Sequence, residues 1–196
     1  MILPIVAYGD SVLKKIAVVV ENDFPELNVL IDNMFETMYN AQGVGLAAPQ
    51  IGKSIRLFIV DGSPFIDEED PDPRAEGLED FKKTFINPII HEESGKEWGF
   101  NEGCLSIPKI REEVFRKETI TISYYDEHFD FHERVVFKGF AARIIQHEYD
   151  HIEGVLFTDH LSILKIKLLS KKLTNISKGN VLVDYRMKFP LLKRIK

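Results

Sequence analysis

The sequence predicts an α+β domain in which antiparallel sheets pack around a central helix carrying an H-E-x-x-H motif, with an N-terminal helix and a basic C-terminal helix. Three patterns support this. An amphipathic run over Glu26–Gln42 comes first, a series of strand-like runs follows from Ile55 to Phe137, and two further helical patterns close the chain.

In the first run Leu27, Leu30, Ile31, Met34, Phe35 and Met38 recur at spacings of three and four, the period of one helix face. Asn22, Asp23 and Pro25 read as its start, and Gly43 as a left-handed stop. Strand-like runs follow at Ile55–Val60, Thr84–Ile90, Val114–Phe115, Thr119–Tyr125 and Phe129–Phe137. In the last of these, Phe129, Phe131, Val135 and Phe137 alternate with Asp130, His132, Arg134 and Val136, as in a half-buried antiparallel strand. Asp126, Glu127 and His128 form the turn of a hairpin. Residues 66–80 crowd eight carboxylates around Pro71 and Pro73, which reads as a mobile acidic loop. The closing helices are Phe140–Ile152 and Leu161 to about Ile176, the latter with Ile166, Leu169, Leu173 and Ile176 as its apolar stripe.

A chain of 196 residues, 44% hydrophobic, suits a single domain, residues 1–196. Its 14 Phe and 6 Tyr exclude a disordered chain. The longest early aliphatic run, Ile16–Val20, is too short for a membrane span, and the sequence shows no signal-peptide pattern. A lone cysteine, Cys104, makes no internal disulfide, so the cytoplasm is expected. Charge is divided unevenly: residues 160–196 hold ten cations and only Asp184 as an anion, +9, whereas the first 159 residues sum to −15. Such a basic segment is either a solvated helix face or a surface for an anionic partner. No motif for sequence-specific nucleic-acid binding is present.

The chemistry concentrates in Gln146-His147-Glu148-Tyr149-Asp150-His151. On a helix, His147 and His151 project from one face a turn apart, which is metal-ligand spacing. Glu148 can then reach an attacking water as a general base without being a ligand. A catalytic site of this type wants a third protein ligand. Gly154 continues one protease pattern, but Phe157 stands where its last histidine would be, and no glutamate follows Glu153. The remaining thiol lies upstream in Glu102-Gly103-Cys104-Leu105-Ser106. A lone cysteine is commonly a small buried hydrophobe, but an incomplete H-E-x-x-H makes Cys104 the candidate ligand. A third stretch, Gly43-Val44-Gly45-Leu46-Ala47-Ala48-Pro49-Gln50, reads either as a helix stop and tight connection or as a substrate strand site. In the second reading Gln50 offers an N–H to an oxyanion.

Together these three stretches resemble the peptide deformylase family, whose signatures G-x-G-L-A-A-P-Q, E-G-C-L-S and Q-H-E-x-D-H occur here complete and in order. The resemblance implies a hydrolase that removes the formyl group from the N-terminal formyl-methionine of new polypeptides. It implies one divalent metal on Cys104, His147 and His151, iron(II) in the cell, with zinc, nickel or cobalt able to replace it. Glu148 would move the proton, and Gln50 with the Leu105 N–H would stabilise the oxyanion. Val44 and Gly45 would bind the peptide, and Glu102, Arg111, Phe140 and Ile144 would border the methionine pocket. Arg143 departs from the family pattern, which often carries an apolar residue there. The substrate also makes the ribosome the natural partner of the basic segment. Two other readings use the same residues: an H-E-x-x-H endopeptidase, and a non-catalytic metal- or ribosome-binding protein.

Overall fold

The computed structural model describes residues 1–191. In chain order it contains β1 (Ile5–Val6), α1 (Leu27–Asn40), β2 (Gly45–Ala47), β3 (Leu57–Asp61), β4 (Lys82–Cys104), β5 (Ile107–Tyr125), β6 (Phe131–Lys138), α2 (Gly139–Ile152), α3 (Ile163–Ser177) and β7 (Met187–Lys188). Strands β2 to β6 form one antiparallel sheet in sequence order, while β1 and β7 form a separate pair that is parallel, not antiparallel.

β3 shows how the core divides. Its residues alternate between two faces: Phe58 and Val60 join Ala141, Ala142 and Ile145 of α2, whereas Leu57 and Ile59 join Leu30, Ile31, Met34 and Met38 of α1. A strand covered on both faces must be apolar throughout, which explains the unbroken run. A third cluster packs Leu169, Leu173 and Ile176 of α3 against Ile107, Ile110 and Val114 of β5.

Several expectations need correction. α1 starts after Glu26, itself left-handed at φ 55° with no side-chain cap, so Asn22 and Asp23 do not cap it. The left-handed residue after α1 is Gln42, at φ 54°, rather than Gly43. Gly43 instead makes room: a Cβ there would lie 2.8 Å from Leu105 Cδ1. In β6 the alternation breaks because Ile122 pairs with Val135 but Tyr124 with His132, an extra residue on the β6 side. Phe137 is therefore buried, Phe131 is 56% exposed, and Phe129 lies in the turn at φ 60°. Ile166 is only half-buried on α3.

The acidic stretch 66–80 is not a free loop. Ala75 and Leu78 are buried in the α2 cluster, and the Arg74 guanidinium lies over Trp98 at 4.6 Å and Phe140 at 5.2 Å. Gly139 permits the approach: it sits at φ 57°, and a Cβ would fall 2.4 Å from the Arg74 carbonyl oxygen. All the carboxylates but Asp72, which pairs with Arg74, are exposed, while the apolar residues between them anchor the segment. Of the basic segment, Lys193, Arg194 and Lys196 lie outside the described residues.

Candidate metal centre and cleft

β4 and β5 are joined by the two-residue turn Leu105-Ser106, with Cys104 paired to Ile107 at its base. This turn faces the last turns of α2. Cys104 Sγ and one nitrogen each from His147 and His151 lie within 4.8 Å of one another, the three-member His/Cys/Asp/Glu cluster found among the described residues. Cys104 Sγ stands 3.3 Å from His151 Nε2. His147 Nδ1 meets Glu102 Oε2 at 2.8 Å, which leaves Nε2 free for a ligand.

Glu102 holds this arrangement. It is 4% exposed and accepts from Arg116 Nε at 2.7 Å, Arg116 Nη2 at 3.0 Å and Arg143 Nη1 at 2.9 Å. Burial raises its pKa, but bonds from His147 and Arg116 outweigh this and hold the carboxyl well below the usual range. Arg116 Nη1 continues to Asp150 Oδ2 at 2.8 Å, and Asp150 Oδ2 to His160 Nε2 at 2.8 Å. Arg143 is equally buried: Nη2 donates to the Trp98 carbonyl at 2.6 Å, and the guanidinium lies over the Trp98 ring at 4.2 Å. A cation at this core position is compatible with the fold because an anion and two carbonyls, those of Trp98 and Val114, receive it.

Burial pushes the Cys104 thiol up, but the charges of His151 and His147 outweigh it and bring it down to about 5. Burial lowers His147, yet bonds to Cys104 and Glu102 raise it well above its ordinary value. A buried thiolate and carboxylates that favour positive charge suit a divalent cation, and the Cys/His/His donor set fits zinc or a late first-row metal. Glu148 is 3% exposed, and its Oε2 is buried without a hydrogen-bond partner among the described residues. Burial pushes its pKa up to about 7, against the lowering effect of His147 and His151.

A cleft of about 810 Å³ opens onto this group, lined by Val44, Gly45, Gln50, Glu102, Leu105, Arg111, Ile144, His147 and Glu148. Phe140 lies behind it, its ring stacked on Phe65 with centroids 4.6 Å apart. Pro64, Phe65, Phe100, Val183, Asp184 and Tyr185 also line the cleft, none of them expected there from the sequence. Gln50 points its amide by occupying one end: Oε1 accepts from the Ala47 N–H at 2.8 Å, so Nε2 faces Cys104 Sγ at 3.3 Å. β2 is an edge strand. The carbonyl of Val44, just before it, accepts from the Asp61 N–H at 2.8 Å, so the alternating ladder turns the Gly45 N–H and C=O toward the open edge.

A thiolate and two imidazoles beside a buried carboxylate, in an open cleft, are the donor set and base of a metal-dependent hydrolase. The model of the family described as polypeptide deformylase matches residues 2–167. A peptide deformylase of Christiangramia forsetii is 57% identical over 197 residues, covering 100% of both chains. One from Flavobacterium johnsoniae is 57% identical, covering 99% of each. The crystal structure of a peptide deformylase from Legionella pneumophila superposes with a TM-score of 0.75 at 38% identity, covering 92% of this chain and 98% of that one. A Plasmodium falciparum peptide deformylase with an inhibitor gives 0.72 at 34%, covering 88% and 97%. The chain belongs to the polypeptide deformylase family, a family of metal-dependent enzymes.

Proposed function

We propose that residues 1–196 form one catalytic domain that removes the N-formyl group from the N-terminal formyl-methionine of newly made polypeptides, releasing formate. The observation that carries this is Glu148, buried and with an unpartnered Oε2, standing beside three converging metal donors. Cys104, His147 and His151 would hold a divalent ion, which when bound would supply Lewis acidity; we assign iron(II) in the cell, with zinc, nickel or cobalt as substitutes. The peptide adds to the open edge of β2 through the Gly45 backbone, with Val44 beside it. Ile144, Phe140, Glu102 and Arg111 border the space for the methionine side chain. Glu148 takes a proton from water as its oxygen bonds to the formyl carbon, and returns a proton to the amine nitrogen as the C–N bond breaks. Gln50 Nε2 and the Leu105 N–H donate to the developing oxyanion.

Formate release from formyl-Met-Ala-Ser tests the assignment. In Glu148→Ala it should fall by about 10²–10⁴, the usual share of a positioned general base, with metal content unchanged. Undiminished release would overturn the role of Glu148. Cleavage of unformylated peptides would favour the endopeptidase reading. A non-catalytic site would be expected to close its metal with a fourth protein ligand, whereas the cluster among the described residues has three.

The substrate places the reaction in the cytoplasm, beside the ribosome. No helix among the described residues is long and apolar enough to cross a membrane. The cations of α3 and the segment after it are proposed to dock on ribosomal phosphate near the emerging chain.

A further inference from the structure

After α3 the chain returns to the cleft. β7 pairs with β1 through Ile5 N–H to the Arg186 carbonyl and Ala7 N–H to the Lys188 carbonyl, both 2.9 Å. On the way Val183, Asp184 and Tyr185 line the cleft. Tyr185 Oη donates to the Leu105 carbonyl at 2.7 Å, a contact between residues 80 apart in sequence. The next carbonyl in the same turn, that of Ser106, accepts from the Tyr8 N–H at 2.8 Å, and the Tyr8 carbonyl accepts from Ser177 Oγ at 2.7 Å. A two-residue turn leaves its own carbonyls outside the ladder, so these partners determine how rigidly it is held.

We propose that Tyr185 is a positioning residue of the catalytic site, its hydroxyl fixing the Leu105-Ser106 turn so that Cys104 and the Leu105 N–H hold their working orientation. The segment after α3 is then part of the active site rather than a terminal extension. This rests on the roles given above to Cys104 and Leu105. The bond does not touch the substrate, so its effect must appear in the turn and in the rate of the chemical step.

Tyr185→Phe keeps the ring and removes only the hydroxyl. Loss of one such bond should lower kcat for formyl-Met-Ala-Ser about 5- to 10-fold with KM nearly unchanged. Amide hydrogen exchange across Leu105–Ile107 should rise by about the same factor, while that of α2 stays fixed. Wild-type kcat together with wild-type exchange would overturn the proposal. So would a folded variant that has lost metal but keeps full activity per bound ion, because the hydroxyl would then serve only retention. If the wild-type protein released no formate, the assigned reaction would fail, and the exchange rates would still decide whether Tyr185 braces the turn.

Discussion

Gly45 and Glu148 share a volume that admits only one side chain. A Cβ on Gly45 would fall 2.3 Å from Glu148 Oε1 and 2.8 Å from its Cγ, so Gly45→Ala must move the carboxylate. A shift of about 1 Å in a reacting group can cost about 10²-fold, and formate release should fall by that order while circular dichroism is unchanged. Glu102 is the other sensitive position, facing two guanidiniums buried at 5% and 2% side-chain exposure. Glu102→Gln preserves shape but leaves Arg116 and Arg143 opposite a neutral amide. Urea unfolding should show a loss of about 3–5 kcal/mol, the cost of stranding buried charge. The convergence of His147 and His151 is legible in residue type and spacing, and that of Cys104 only through the ligand their motif lacks. Their supports are not: Arg116, Arg143 and Tyr185 reach their partners across 14, 41 and 80 residues, and no local pattern encodes such a meeting. The resemblance puts Glu102 only at the border of the methionine pocket; its contacts also make it a charge hub behind His147.

Periodicity places α1 and α3 nearly to their ends, since each buries one face at a period of three to four residues, whereas α2 is buried almost all round, Phe140 to Gln146 without a break. In the sequence the strands show only as separate pieces. β4 runs continuously from Lys82 to Cys104 although Gly95, Gly99 and Gly103 interrupt its apolar pattern, because irregularities at Ile86/Ile89, Ile90/Glu92 and Ser94/Glu97 absorb the register shifts. One polar link ties α1 to β3: Tyr39 Oη donates to Asp61 Oδ2 at 2.6 Å, and Ser63 N and Oγ donate to Oδ1 at 2.9 and 2.7 Å. Burial pushes Asp61 up, but these bonds and the Lys82 charge outweigh it and lower its pKa. A carboxyl with a lowered folded pKa stabilises above its unfolded value of about 3.9 and loses that contribution as pH falls through the folded one. Tyr39→Phe should therefore be less stable than wild type by about 1 kcal/mol at neutral pH, and the difference should shrink below about pH 4. Denaturant titrations across pH 2.5–7 measure it; a gap that widens in acid would contradict the assignment.

At the scale of the whole molecule, charge is sorted along the chain: −15 over the first 159 residues and +9 over the last 37. An acidic body discourages non-specific binding to nucleic acid, so the docking on ribosomal phosphate proposed above would have to come through the cationic end. On α3, Lys167, Lys171 and Lys172 are exposed beside Ile163, Leu164 and Leu168, whereas Lys165 is paired with Glu112 at 3.0 Å. Each phosphate neutralised releases counterions, so the logarithm of ribosome affinity should fall linearly with the logarithm of salt. Reversing Lys171 and Lys172 to Glu should weaken co-sedimentation and reduce the magnitude of that slope by about 2, one for each phosphate that is no longer neutralised. Both lysines are exposed and neither lines the cleft, so formate release from a free tripeptide should be unaffected. Co-sedimentation insensitive both to salt and to this reversal would mean that the basic end is a solvated surface, and that encounter with the emerging chain depends on the cleft alone.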